Sequence, residues 1–340
     1  MSESGTAMSS SGEPLFEAFL NQHDDKAWRD VISRLLPHIH EVDRTATEIW
    51  FHFFPLSLLR ALQQADDQQR FARQLLLEGS YLLKNQIDSS HDFFYGDRYW
   101  PQVKAAVSEL AASASSPVSL ELAAQISRVA GDVASLQKAD PSLVVGITAV
   151  AFMTVQQVGA AAFRDSPSKV RKPSAKSPEQ VLMARQRDDK QGLFGFINPD
   201  KIFTIKFSEN DPASGFKLIN TQHLTTAAAN DKRDFHSGDP RCVVGEGPIP
   251  VQCRSAACGT CWVGVLGGGE KLSEVAELEW RKIKEFGYIN TDEPRPLIRL
   301  ACQAQAYGNV SIVIPPWNGV FGKFIQQIVK DEEERHRSLI

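Results

Sequence analysis

The sequence lacks the apolar segments that direct a chain into or across a membrane. The first residues, MSESGTAMSSSGEP, are polar and contain no stretch of the kind found in signal peptides. The longest apolar run, Leu143 to Val155, is too short to cross a bilayer of about 30 Å and predicts a buried core helix. We therefore expect no transmembrane segment.

Other signatures are missing as well. A net charge of -4 predicts no strong attraction to nucleic acid, so we expect no nucleic-acid partner. The chain has no Gly-x-Gly-x-x-Gly fingerprint and no P-loop, the usual marks of dinucleotide and nucleotide sites. It has no flavin-domain pattern, no Glu-x-x-His pair for a di-iron site and no apparent internal repeat.

Cysteine is scarce, with five residues in 340, yet four of the five lie close together. Cys253, Cys258 and Cys261 follow a Cys-x4-Cys-x2-Cys spacing, and Cys302 stands alone about forty residues later. An odd count with this clustering does not suit a secreted disulfide framework. It fits a reducing compartment in which thiolates bind metal, so we expect a cytoplasmic protein.

Four thiolates in this arrangement can hold one [2Fe–2S] cluster, because iron bridged by sulfide prefers soft sulfur ligands. The first three cysteines match the spacing of plant-type sites closely. The residues between them are mostly small and let the backbone approach the sulfurs. The predicted metal ligands are Cys253, Cys258, Cys261 and Cys302.

Two other interpretations of these thiols remain open. A zinc site is one, although a zinc ribbon would usually pair two Cys-x2-Cys units and the second unit is missing here. A redox dithiol formed by Cys258 and Cys261 is the other, although no thioredoxin-like pattern surrounds it. The fifth thiol, Cys242, is predicted to be structural, because nothing in its local sequence places it beside a base.

Two motifs together resemble the plant-type ferredoxin family: Pro250-Val-Gln-Cys253-Arg-Ser-Ala-Ala-Cys258-Gly-Thr-Cys261 and Arg299-Leu-Ala-Cys302-Gln303. The resemblance covers about residues 200–316. It implies a β-grasp fold in which the four matched cysteines bind the cluster, with the first two on one iron and the last two on the other.

The chain departs from that family at two points. Ala256 stands where the family's loops often carry glycine, and a positive φ there would strain an alanine, so we expect a slightly different loop geometry. The interval from Cys261 to Cys302 is also longer than in short plant ferredoxins, and it contains an additional helix and loop.

Changes in periodicity and composition divide the chain into five segments, and the predicted fold class is α+β with two domains. Residues 1–13 are Ser/Gly-rich and predicted to be disordered. Residues 14–163 carry helical stripes and predict an all-α domain of about six to eight helices. Residues 164–199 have the composition of a linker, either a solvated tether or a basic docking arm. Residues 200–316 are the ferredoxin-like domain, and residues 317–340 are predicted to be a helical tail.

Within residues 200–316 the pattern predicts a small mixed sheet with one crossing helix. The predicted strands are 202–207, 216–220, 261–266, 297–300 and 310–314. A short helix is predicted over 225–231, and a longer one ends near Phe286, with Ser273 as its N-cap.

Three functions are compatible with the sequence. The first is a one-electron carrier, more an electron shuttle than an enzyme, that serves a redox partner protein and uses its helical domain for docking or homo-oligomer formation. The second is an iron–sulfur redox sensor. The third is an oxidoreductase component with a second cofactor in the helical domain, where Phe51-His52-Phe53-Phe54 could wall a haem or flavin. Ordinary core packing explains that aromatic patch equally well.

Overall fold

The computed structural model describes residues 15–113, 121–169, 175–187, 201–324 and 327. A group of helices comes first and a sheet region follows, so the predicted α+β layout is confirmed. Residues 1–13, predicted to be disordered, lie outside the described residues, as does the predicted helical tail from residue 328 onward.

Nine α-helices lie in the described part of residues 15–165, more than the sequence predicts, because several of them are only about two turns long. They are α1 (Leu15–Asn21), α2 (Asp25–Leu35), α3 (Glu41–Phe53), α4 (Leu56–Gln64), α5 (Gln68–Gln74), α6 (Trp100–Ser113), α7 (Leu122–Gln137), α8 (Ser142–Val158) and α9 (Ala160–Asp165).

Helix α8 forms the centre of the helical region. Every residue from Leu143 to Val155 is buried, as the apolar run predicts. Helices α3, α6 and α7 pack around it. Among the residues that the structure describes, no helix is long and apolar enough to span a membrane.

In the described residues, the sheet region contains five strands in the order β3-β2-β6-β4-β5, and a separate two-stranded sheet pairs β1 with β7. The strands are β1 (Glu78–Gly79), β2 (Ile202–Lys206), β3 (Gly215–Ile219), β4 (Trp262–Gly267), β5 (Ile298–Leu300), β6 (Val310–Val313) and β7 (Trp317–Asn318). Strands β2 and β6 are parallel, and the other neighbours in the five-stranded sheet are antiparallel. The helices of this region are α10 (Pro178–Gln186), α11 (Leu224–Ala228) and α12 (Glu277–Phe286).

Helix α12 begins later than the sequence predicts. Ser273 is not its N-cap, because the backbone N–H of Ser273 donates to the carbonyl of Gln305 at 2.8 Å and its hydroxyl accepts from the Gln305 N–H at 3.2 Å. These two bonds hold Ser273 beside the neighbouring chain segment. The residue before the helix is Ala276, whose side chain makes no capping hydrogen bond.

The predicted linker contains a helix that is packed against both regions. Ser177 and Gln180 form a capping box at the start of α10. The buried guanidinium of Arg185 donates to the Val42 carbonyl at 2.8 Å and forms an ion pair with Glu209, also at 2.8 Å. Because Val42 belongs to α3 and Glu209 follows β2, the Arg185 side chain joins α10 to both regions.

The two regions also meet directly. Strand β1 comes from the helical region and pairs with β7, so the predicted helical tail begins with a strand. The indole N–H of Trp317 donates to the carbonyl of Phe53 at 2.6 Å. One continuous set of buried apolar residues runs through both regions. Within the described residues, the helices therefore pack directly against the sheet region and do not form a separate unit.

Candidate metal centre

Strands β4 and β5 place Cys261 and Cys302 side by side. Trp262 pairs with Leu300 in the antiparallel ladder, and one residue further the Ala301 N–H donates to the Cys261 carbonyl at 2.9 Å. Cys302 is the next residue along the chain. Both cysteines are buried, with 2% and 4% of their surface exposed.

Cys253 and Cys258 lie in the irregular segment before β4 and are half-buried. The N–H groups of Ser255 and Ala257 point back towards the Cys253 sulfur, at 3.5 and 3.3 Å. The Cys258 sulfur lies 2.7 Å from the hydroxyl oxygen of Thr260. The loop thus surrounds its sulfurs with hydrogen-bond donors, as short spacers of small residues allow.

Ala256 has the left-handed backbone conformation, with φ at 59°. The sequence predicts strain at this position, because glycine tolerates such a φ without strain and alanine does not. The structure keeps the left-handed geometry at this alanine. The buried methyl group of Ala256 therefore occupies a strained position beside the candidate centre.

The thiols affect one another's pKa values in two pairs, Cys253 with Cys258 and Cys261 with Cys302. The hydrogen bond with Cys261 lowers the pKa of Cys302, while the same bond, together with burial, raises the pKa of Cys261. Burial acts to raise the pKa of Cys253, but hydrogen bonds from the Ser255 N–H and then from the Cys258 thiol outweigh it and lower the pKa to about 7. In each pair, one thiol therefore has a lowered pKa.

The arrangement of the four cysteines in two pairs fits a two-iron group. In the described ranges no group of three or more His, Cys, Asp or Glu side chains is placed to hold one metal ion. Each thiol pair could supply two ligands to one iron, and Cys258 is close enough to Cys261 to raise its pKa electrostatically. This pairing, first with second and third with fourth, is the one that the ferredoxin resemblance implies.

Residues 244–307 match the family model of the 2Fe-2S iron-sulfur cluster binding domain. This part of the chain is a [2Fe–2S] domain. The match contains all four clustered cysteines and confirms both the ferredoxin-like resemblance of the C-terminal region and its predicted cofactor. It does not extend into the helical region. No solved structure matches the chain.

A buried ion pair positions the second cysteine-bearing strand of the [2Fe–2S] domain. Arg299 on β5 is fully buried and binds the Glu279 carboxylate of α12 through two hydrogen bonds, at 2.8 and 2.9 Å. The same carboxylate accepts from the Leu300 N–H at 2.9 Å. Two residues later the chain reaches Cys302, so this pair fixes the path of the backbone into the site.

Sequence reasoning included Arg299 in a motif but missed Glu279. Arg299 lies inside a predicted strand between apolar residues, and a charge that is buried there needs a partner of opposite charge. The sequence offers Glu274, Glu277 and Glu279 in the right region, and only the packing of α12 against β5 selects the third.

Cys242 has the contacts of a structural cysteine. Its thiol donates to the Pro248 carbonyl at 3.3 Å, and burial raises its pKa to about 11. None of the five cysteines, all of which lie in described residues, forms a disulfide.

The aromatic patch in the helical domain packs into the core. Phe51, Phe53 and Phe54 are all buried. The crevice that Phe51 and Phe54 line has a volume of about 190 Å³, below the roughly 300–1,000 Å³ of typical ligand pockets. A haem or flavin in this patch has no support from the described residues.

Proposed function

We propose that this protein transfers single electrons to or from a docked redox partner protein. We further propose that the ligands of its [2Fe–2S] cluster are Cys253, Cys258, Cys261 and Cys302. The observation that supports this proposal is the unequal burial of the two thiol pairs. Cys261 and Cys302 are enclosed by the sheet, whereas the loop of Cys253 and Cys258 reaches the surface. One side of the centre is thus held rigidly and the other is close to any partner that docks.

When bound, a cluster of this kind accepts and releases one electron at a time. The protein's own residues hold the site and set its electrostatics. Backbone N–H groups aimed at the sulfur of Cys253, and the side-chain amide of Gln303 at 3.5 Å from the sulfur of Cys302, stabilise added negative charge there. These donors raise the reduction potential relative to a site without them. No acid–base residue is needed for such a transfer.

We also propose that residues 200–316 adopt the β-grasp fold and that the protein works in the cytoplasm. The mixed five-stranded sheet, with α12 packed beside β5, supports the fold proposal. Cysteines that are all unpaired, four of them clustered for metal, suit a reducing compartment.

A redox sensor is the second candidate, and the shared core favours it over a carrier with a loosely attached helical domain. Strand β1 of the helical region pairs with β7, which directly follows the [2Fe–2S] domain. A structural change at the cluster can therefore reach the helical region through this strand pair. A sensor would show redox-dependent amide exchange in β1 and its neighbours, and a simple carrier would not.

Anaerobic reductive titration of the purified protein tests the proposal. We expect uptake of one electron per chain, bleaching of a spectrum that contains only iron–sulfur absorption, and an EPR signal from one reduced cluster. Uptake of two or more electrons, or absorption from a further chromophore, would favour the oxidoreductase with a second cofactor. A colourless protein that binds zinc would remove the proposal altogether.

A further inference from the structure

We propose that Tyr288 is a positioning residue for the [2Fe–2S] centre and that its hydroxyl group raises the reduction potential. This inference rests on the proposed function. It concerns a residue in the long interval between Cys261 and Cys302, which the cysteine motif does not include.

The hydroxyl of Tyr288 lies against the cysteine loop. It is 2.8 Å from the carbonyl oxygen of Gly259, the residue directly after Cys258, and 2.9 Å from the carbonyl oxygen of Gly319. The Gly319 N–H donates to the hydroxyl oxygen at 3.2 Å. Tyr288 therefore links the loop that carries the third cysteine to the segment that follows β7.

The ring of Tyr288 is held firmly in this position. It stacks on Trp262, the residue after Cys261, with ring centroids 3.9 Å apart and an angle of 9° between the planes. Only 2% of the residue is exposed. Gly259 has a positive φ of 73°, and a Cβ atom at this position would lie 3.1 Å from the Tyr288 hydroxyl oxygen. The Tyr288 ring is thus packed against Trp262, and its hydroxyl group is packed against Gly259.

This geometry favours negative charge at the centre in two ways. When the hydroxyl donates to Gly259, the positive end of the O–H dipole points towards the loop between Cys258 and Cys261. The same bond fixes the peptide between Gly259 and Thr260, and the Thr260 hydroxyl oxygen lies 2.7 Å from the Cys258 sulfur. Such contacts to the sulfurs tune iron–sulfur potentials. Loss of the hydroxyl removes both effects, and both losses lower the potential.

The substitution Tyr288→Phe tests the proposal, because it keeps the stacked ring and removes only the hydroxyl. Tyr307→Phe is the matched control, since Tyr307 lies in the same domain and is about half exposed. Each variant is titrated potentiometrically with EPR detection. We expect Tyr288→Phe to load the cluster and to lower its reduction equilibrium constant about tenfold, or about 59 mV for one electron. Tyr307→Phe should match the wild type.

An unchanged or raised potential in a loaded Tyr288→Phe protein would overturn the proposal. If Tyr288→Phe does not load the cluster, a second experiment provides the test. In it, 3-fluorotyrosine is incorporated into the otherwise native protein and into Tyr307→Phe. Fluorination strengthens the phenol as a donor, so the potential should rise in both proteins, and no rise would overturn the proposal.

The failure of this proposal can be told apart from failure of the proposed function. If the native protein holds no cluster, the electron-transfer function falls. Amide exchange at Gly319 in the cluster-free protein then still tests the contact, since Tyr288→Phe should speed that exchange by removing its acceptor. Equal exchange in both proteins would show that Tyr288 does not hold this segment.

Discussion

At the scale of single residues, Ala256 shows how closely the cysteine loop is packed. Its φ of 59° is one that L-residues adopt only at a cost of roughly 1–2 kcal/mol. Its methyl group is buried in the cysteine loop. A larger side chain at this position must therefore disturb the backbone of the loop.

Ala256→Val should destabilise the protein by about 1–3 kcal/mol, because a branched side chain adds volume at a buried position with positive φ. Urea denaturation of the cluster-free protein measures this. The control is Ala257→Val, which is exposed and should change stability by less than about 0.5 kcal/mol. Equal effects of the two substitutions would contradict the described loop conformation.

Glu279→Gln should lower the free energy of unfolding by about 3–5 kcal/mol, because it leaves the charge of Arg299 buried without its partner. The matched control is Glu277→Gln, an exposed position in the same helical turn, which should be nearly neutral. The free energy of unfolding is measured for both. A small loss of stability in Glu279→Gln would mean that another group compensates the buried charge of Arg299.

At the scale of elements, the strands of the C-terminal region follow the prediction within one or two residues, because alternating apolar residues fall between clear turn signals. The spacing of Cys253, Cys258 and Cys261 is local and predicts three of the candidate ligands, whereas Cys302 was predicted from its own Arg-Leu-Ala-Cys-Gln motif. Contacts between distant segments were not predictable. The β1–β7 pairing, the Glu279–Arg299 ion pair and the Tyr288 contact each depend on residues far apart in the chain.

The packing of α3 on β4 illustrates such a contact and is testable. A Cβ atom at Gly264 would lie 2.7 Å from the Cγ2 atom of Ile49. Gly264→Ala should therefore destabilise the protein by about 1–3 kcal/mol. Combined with Ile49→Ala, which removes the Cγ2 atom, the loss should be smaller than the sum of the two single losses. Strict additivity in denaturant unfolding would show that the two residues do not touch.

At the scale of the whole molecule, one buried apolar core joins the helical and sheet regions, and α10 is anchored to both. We therefore expect the described regions to unfold in one cooperative step. Amide exchange in increasing urea checks this. Segments from α8 and β4 should lose protection at the same denaturant concentration, whereas loss of protection in β4 while α8 stays protected would indicate independent domains.

The identity of the cluster ligands is the central claim, and one comparison tests it most directly. Cys302→Ser and Cys242→Ser are purified anaerobically beside the native protein, and the iron content and reduced-state EPR spectrum of each are recorded. The account predicts that Cys302→Ser abolishes the signal or shifts it markedly, while Cys242→Ser leaves the signal and the iron content intact. An intact signal in Cys302→Ser together with its loss in Cys242→Ser would contradict the assignment.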